Sequence, residues 1–158
     1  MMNTFNRLFG AGPGGVLAGA ALFMLFRYLR DMLDIPEIVT GLFLPRLVVF
    51  IVAAAISAVL IIWGFASLNP RVPGKVLMKE GALKYFRHPL YAAFLTFFNF
   101  GLAVLLNNWA FVSWAVILHA AGHLLVRGEE RVLKETFPGE YEDYCNKTGR
   151  FIPRLIGS

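Results

Sequence analysis

Four long apolar runs constrain this chain more than any other feature of its sequence. A helix needs about 20 apolar residues to cross the hydrocarbon core of a bilayer. The runs cover approximately residues 13–33, 47–68, 89–106 and 109–126. The chain has 158 residues, of which 58% are hydrophobic and 16% are charged. Because so small a soluble domain could not bury this much apolar surface, we predict an all-α integral membrane bundle of four transmembrane helices.

Two polar stretches, residues 69–88 and 127–158, carry most of the basic side chains. Only Asn107 and Asn108 separate the third and fourth apolar runs, so these runs must form an antiparallel hairpin. The hairpin brings both polar stretches to one side of the membrane. An excess of Lys and Arg favours the cytoplasmic side. We therefore predict cytoplasmic termini, in the inner membrane of a bacterium or archaeon.

The expected organisation is a single membrane domain over residues 1–158. Residues 1–68 would form two N-terminal transmembrane helices, and residues 69–158 a core built from the hairpin and a C-terminal cap. Within the first run, the uninterrupted apolar stretch 16–26 leads into Arg27 and Arg30 in place of a cleavage site, which favours a retained helix over a signal peptide. The net charge is +5, and most of the basic residues lie in blocks outside the apolar runs, which predicts contact with lipid head groups and no nucleic-acid partner.

The sequence Arg87-His88-Pro89 lies at the start of the third apolar run. Proline is common in the first turn of a helix, where its missing N–H has no effect. Free N–H groups and the positive end of the helix dipole gather at such a point and favour an anionic ligand group. A simple anchor for the helix end is the alternative interpretation.

Glu129 and Glu130 follow the fourth apolar run, at the spacing of a helix that continues out of the membrane. They could be solvated charges paired with Arg127 or Arg131, which contribute little to stability. The hairpin nevertheless returns this pair to the Arg87-His88 end of the third run. We therefore predict a polar site where the two meet.

His119 and His123 lie four residues apart and share one face of the fourth helix. Interhelical hydrogen bonds are the favoured interpretation, and a metal pair is the alternative. No third ligand is apparent, and Cys145 is the only cysteine, so we predict no metal site.

One ordered set of motifs resembles the isoprenylcysteine carboxyl methyltransferase and phospholipid methyltransferase superfamily. The set comprises Gly-(x5)-Arg-His-Pro-x-Tyr from Gly81, an apolar hairpin, Glu-Glu-x-x-Leu-(x3)-Phe-x-Gly-x-Tyr-x-x-Tyr from Glu129, and Arg-Phe-x-Pro from Arg150. The resemblance covers roughly residues 75–154. It implies a membrane enzyme that uses S-adenosyl-L-methionine without a Rossmann domain.

The resemblance also implies roles for particular residues. The cofactor would be bound by Lys75, Val76, Leu77, Met78, Leu83, His88, Pro89, Tyr91, Glu129, Tyr141 and Tyr144. The catalytic group would be Arg87, His88 and Glu130, and the substrate would contact His123 and Arg127. Tyr141 and Tyr144 could instead belong to an interfacial aromatic belt.

The implied activity is methyl transfer to a lipophilic or amphipathic acceptor at the cytoplasmic face. Prenylcysteine-specific relatives carry an arginine where this chain has Leu125, which counts against a prenylcysteine acceptor. A phospholipid amine and a small thiol are alternative acceptors. A non-catalytic scaffold or sensor of the same fold, and a small transporter, are alternatives from other functional classes.

Overall fold

The computed structural model describes residues 12–68 and 76–154. These residues form helices, turns and two isolated β-bridges, so the all-α prediction is confirmed. The helices are α1 (Gly12–Met32), α2 (Phe43–Ala66), α3 (Pro89–Leu106), α4 (Trp109–Thr136) and α5 (Glu140–Lys147). A 3-10 turn, Gly81–Lys84, precedes α3.

Helices α2, α3 and α4 are long and apolar enough to cross a membrane, by length and composition. Large side chains such as Leu44, Val59 and Ile62 are exposed along α2, as expected of a surface that faces lipid. These are the features of an integral membrane protein. The predicted fourth span coincides with α1, which is not among these three helices, and it remains a prediction.

The α3–α4 hairpin turns within two asparagines. Asn107 ends α3 in the left-handed conformation, at φ 53°, which asparagine tolerates better than most residues. The Asn108 side chain caps α4 by accepting a hydrogen bond from the Ala110 N–H at 3.0 Å. Asn107 Nδ2 also donates to the Val39 carbonyl at 2.6 Å. This end of the bundle is thereby joined to the loop between α1 and α2.

The helices pack in the order α2, α3, α4, α1. Gly101 of α3 lies so close to α2 that a Cβ there would approach the Ala53 Cβ to 2.5 Å. Small residues of this kind allow membrane helices to approach closely. The hairpin is therefore flanked by one N-terminal helix on each side.

Residues Ala92–Phe98 of α3 form a π-helical segment. Such segments displace backbone carbonyls and often lie at functional sites. Ser57 Oγ donates to the Ala93 carbonyl at 2.8 Å, and His119 Nδ1 lies 3.3 Å from the Leu95 carbonyl. Neighbouring helices thus bind two carbonyls of this segment, and the predicted interhelical hydrogen bond of His119 is confirmed.

Helix α4 is longer than a bilayer core requires. Its 28 residues extend about 42 Å at 1.5 Å per residue, against about 30 Å of hydrocarbon. The apolar part ends at Val126 and the polar part begins at Arg127. Residues 127–136 therefore extend past the apolar part of the helix, beside the start of α3, and α5 folds back against them.

Candidate active site

The turn before α3 is paired with the C-terminal segment of the chain. A parallel β-bridge joins Phe86 to Gly149. The Arg87 N–H donates to the Gly149 carbonyl at 2.8 Å, and the His88 N–H donates to the Arg150 carbonyl at 3.3 Å. Residues 86–88 and 149–150, far apart in sequence, therefore occupy adjacent positions at one end of the bundle.

Glu130 is the centre of a buried charge network. Its Oε1 accepts hydrogen bonds from Arg87 Nε at 3.1 Å and from Arg150 Nε at 3.0 Å, and its Oε2 accepts a second bond from Arg150. Burial raises the pKa of this carboxyl, but the nearby His88 ring, the hydrogen bonds from Arg150 and the charge of Arg87 outweigh burial and hold the pKa at about 2. Glu130 is thus held as an anion, a poor acceptor for a proton during catalysis.

Glu129 occupies a more open position than its neighbour. Its Oε1 accepts a hydrogen bond from Tyr91 Oη at 2.8 Å, and its Oε2 lies 3.6 Å from His88 Nδ1. The side chain of Glu129 is 32% exposed, against 11% for Glu130. Of the two carboxylates, Glu129 is the one that a small molecule could reach.

His88 lies between the two carboxylates and is buried, at 8% exposure. Its Nε2 is 3.4 Å from Glu130 Oε1, but the pair does not have hydrogen-bond geometry. Within residues 12–68 and 76–154, this nitrogen has no hydrogen-bond partner. Because a buried polar atom rarely stays unsatisfied, His88 Nε2 is a candidate contact for a ligand.

The C-terminal cap packs over the loop that precedes α3. Leu77, Tyr141 and Tyr144 form a buried cluster. Tyr144 Oη donates to the Leu83 carbonyl at 2.6 Å, and burial raises the pKa of Tyr144. Both tyrosines are therefore packed side chains within the cap, which counts against the alternative of a lipid-exposed aromatic belt.

The structure brings most of the predicted cofactor residues to this end of the bundle. Leu83 and Pro89 are buried, Met78 is partly buried and Val76 is exposed, while Lys75 lies outside the described residues. Arg127 is exposed on α4, and His123 contacts Arg150, with Nδ1 3.1 Å from Nη1. The cofactor and substrate roles of all these residues remain predictions.

Arg87, predicted to belong to the catalytic group, makes several structural hydrogen bonds. Its Nη1 donates to the carbonyls of Cys145 at 3.0 Å and Thr148 at 2.6 Å, in addition to the bond from its Nε to Glu130. Three of the five N–H donors of its guanidinium are used in this way. This geometry favours Arg87 as a clamp between α4 and the end of α5.

Sequence reasoning gave no role to Arg150 or Phe151, although both belong to the closing Arg-Phe-x-Pro motif. Phe151 is 1% exposed, and its ring lies 6.2 Å from that of His88 and 4.5 Å from that of His123, measured between centroids. The Arg-Phe-x-Pro motif was the sequence signal that could have pointed to these two residues. Their contacts with Glu130, His88 and His123 are evident only in the folded chain.

A separate cleft of about 420 Å³ lies at the opposite end of the bundle, by the α3–α4 turn. It is lined by Arg30, Asp31, Asp34, Ile35, Pro36, Glu37, Leu106 and Asn108. None of the predicted site residues is among them. The convergence of His88, Glu129 and Glu130, rather than this cleft, therefore defines the candidate site.

The fold and site together define a helical membrane protein with a buried charge network at one end of its bundle. No model of a protein family matches the chain. The chain is 36% identical over 78 residues to a protein of Saccharomyces cerevisiae named "Protein-S-isoprenylcysteine O-methyltransferase". That region is 49% of this chain and 33% of the yeast protein, so the chain spans about a third of the length of this curated relative.

Proposed function

We propose that the chain is a membrane methyltransferase of the isoprenylcysteine carboxyl methyltransferase and phospholipid methyltransferase superfamily. It would use S-adenosyl-L-methionine to methylate a lipophilic or amphipathic acceptor at the cytoplasmic face. The similarity to the yeast methyltransferase supports the class of activity. One structural observation carries the proposal furthest: His88 and Tyr91, at the start of α3, contact Glu129 near the end of α4.

The exposed and unsatisfied polar groups of this site fit the proposed cofactor. S-adenosyl-L-methionine carries an amino-acid ammonium and ribose hydroxyls, which a carboxylate such as Glu129 can bind. It also carries a carboxylate, to which a protonated nitrogen of His88 could donate. The Tyr91 ring, 5.8 Å from that of His88, offers an aromatic face to a sulfonium cation.

The chain's own contribution to such a reaction would be positioning. Bound at this site, the cofactor would supply an electrophilic methyl group on a sulfonium. Glu129, Tyr91 and His88 would hold it against an acceptor that arrives from the lipid between the helices. Holding two reactants in line can supply about 7–11 kcal/mol of the barrier reduction.

Glu130 and Arg87 would serve this function indirectly. Both side chains are engaged in the network that joins α3, α4 and the C-terminal segment. An acceptor that must lose a proton would need another base, because Glu130 is held as an anion with a low pKa. An acceptor that is already anionic would need none.

Calorimetry on the detergent-solubilised chain tests the proposal. We expect saturable binding of S-adenosyl-L-methionine that weakens at least tenfold in Glu129→Gln and in His88→Ala. Glu135→Gln is a matched control, because Glu135 is an exposed carboxylate on the same helix. Absence of binding to the unmodified chain would refute the proposal and favour a scaffold or a transporter.

Turnover separates the enzyme from a sensor. Transfer of a labelled methyl group is to be measured into phospholipids, small thiols and prenylcysteine analogues. Binding without transfer into any of these acceptors would favour a non-catalytic sensor. A transporter is disfavoured because the polar side chains of the candidate site lie at one end of the bundle, whereas transporter sites commonly lie near the midplane.

A further inference from the structure

His119 and His123 form a partly exposed pair on α4, of which only His123 has a predicted role, contact with the substrate. Their ring centroids are 5.0 Å apart. Both rings also lie against Phe151, at 5.6 Å from His119 and 4.5 Å from His123. The Phe151 ring also lies 6.2 Å from that of His88, measured between centroids, so this pair and the candidate cofactor site share one aromatic neighbour.

The partner of His123 determines which of its nitrogens carries the proton. Arg150 Nη1 lies 3.1 Å from His123 Nδ1. A guanidinium has only N–H donors and no acceptor, so Nδ1 must accept this hydrogen bond. In the neutral ring the proton is therefore on Nε2.

The partner of His119 imposes the opposite arrangement. Its Nδ1 lies 3.3 Å from the Leu95 carbonyl oxygen, in the π-helical segment. A carbonyl oxygen can only accept, so Nδ1 carries the proton and the lone pair is on Nε2. Among the described residues, the hydrogen bonds of both rings involve Nδ1 and not Nε2.

Arg150 cannot easily rotate away from His123. Its Nε and Nη2 bind the two oxygens of Glu130 side by side, a geometry that fixes the plane of a guanidinium. Arg87 holds Glu130 from another direction, at 3.1 Å. Because Glu130 fixes the guanidinium of Arg150, the hydrogen bond from Arg150 Nη1 also fixes the His123 ring.

We propose that Arg150 is a positioning residue that holds His123 in the tautomer protonated at Nε2, opposite to the tautomer of His119. The pair then offers one donor nitrogen and one acceptor nitrogen to a polar head group. A lipophilic molecule whose head group both accepts and donates a hydrogen bond fits this pair. That the molecule is the methyl acceptor rests on the proposed function, whereas the tautomers do not.

Nitrogen NMR of histidine tests the proposal directly, because protonated and lone-pair nitrogens have well separated chemical shifts. The intact chain is labelled with ¹⁵N-histidine in detergent, and its three histidines are assigned with His88→Gln and His119→Gln. We expect an Nε2–H signature for His123 and an Nδ1–H signature for His119. The same tautomer in both rings, or a doubly protonated His123 at pH 8, would overturn the proposal.

Substitution of Arg150 tests its positioning role. In Arg150→Met the single Nε2–H signature of His123 should be lost, and Arg150→Lys, which keeps a donor, should restore it at least in part. Arg154→Met is the matched control, because Arg154 is an exposed arginine of the same segment and should leave both signatures unchanged. An unchanged His123 signature in a folded Arg150→Met protein would refute the role of Arg150.

The outcome is separable from that of the proposed function. Opposite tautomers in a chain that does not bind S-adenosyl-L-methionine would leave the positioning role intact and remove only the identification of the methyl acceptor. If the chain binds the cofactor but both histidines have the same tautomer, the proposed function stands and the positioning role of Arg150 is refuted. If Arg150→Met fails to fold, the unmodified chain and Arg150→Lys still decide the assignment.

Discussion

Arg150 and Glu130 are joined by two hydrogen bonds side by side, one from Nε to Oε1 at 3.0 Å and one from Nη2 to Oε2. They link the C-terminal segment to α4 near the point where its apolar part ends. Arg87 adds a bond to the same carboxylate from the turn before α3. A single carboxylate therefore connects three separate parts of the chain, and its neighbour Glu129 is left open to a ligand.

Replacing Glu130 with Gln should destabilise the protein by about 3 kcal/mol, because removal of one partner leaves buried charges without compensation. The thermal midpoint in detergent measures the effect. Glu135→Gln, at an exposed position of the same helix, should change stability by no more than about 0.5 kcal/mol. Equal midpoints for the two variants would contradict the structural role of Glu130.

The Glu130 network should also give stability a dependence on pH. The pKa of Glu130 is held at about 2, below its ordinary value of 4.5. A lowered pKa means that the linked stability is fully present above about pH 4.5 and is lost as the pH falls toward 2. We expect the difference in midpoint between the unmodified chain and Glu130→Gln to narrow over that window. If this difference in midpoint stays constant from pH 6 to pH 2.5, ionisation of Glu130 is not the source of the pH dependence.

Replacing Tyr91 with Phe should weaken the binding of S-adenosyl-L-methionine about fivefold. The substitution removes the 2.8 Å hydrogen bond that orients Glu129, and such a bond contributes about 1 kcal/mol. Calorimetry measures the affinity. Tyr28→Phe, on the exposed face of α1, should bind as the unmodified chain does. Equal affinities for the two variants would argue that Tyr91 does not orient Glu129 for the ligand.

Two glycines near the site should respond to alanine in opposite directions. At Gly149 a Cβ would lie 1.7 Å from the Ile152 carbonyl oxygen, a backbone atom, so we expect a loss of about 2 kcal/mol or more. At Gly128, inside α4, nothing lies within 4 Å of the added atom. There, alanine should stabilise the helix by about 0.5–1 kcal/mol. Thermal midpoints decide both, and a tolerated Gly149→Ala would contradict the tight C-terminal turn.

Ser57→Ala should destabilise the packing of α2 against the π-helical segment of α3. Ser57 is buried, at 3% exposure, and its hydroxyl donates to the Ala93 carbonyl at 2.8 Å. Removing this donor should cost about 1 kcal/mol, measured as a lower midpoint. Ser113→Ala changes an exposed serine of α4 and is the control. If the two variants have the same thermal midpoint, packing of the π-helical segment does not depend on the Ser57 hydrogen bond.

The amino-acid sequence by itself determined the helices and their pairing into a hairpin. Apolar runs of about 20 residues allow few structures other than membrane helices. Asn107 and Asn108 leave so short a connection that α3 and α4 must be antiparallel, and Pro89 starts α3 where proline is tolerated. These constraints are local, so they can be predicted from the sequence without knowledge of contacts between distant residues.

Tertiary structure alone decided the partners of the charged side chains. The sequence predicted that the Glu129-Glu130 pair meets the Arg87-His88 turn, with Arg127 or Arg131 on the same helix as alternative partners. It did not indicate that Glu130 binds both Arg87 and Arg150, 43 and 20 residues away. The sequence also did not show that Glu130 would be buried in the charge network while Glu129 stays more exposed. That difference depends on which of two adjacent residues faces the interior. Sequence spacing places residues on a helix face, but it does not say what the rest of the chain brings against that face.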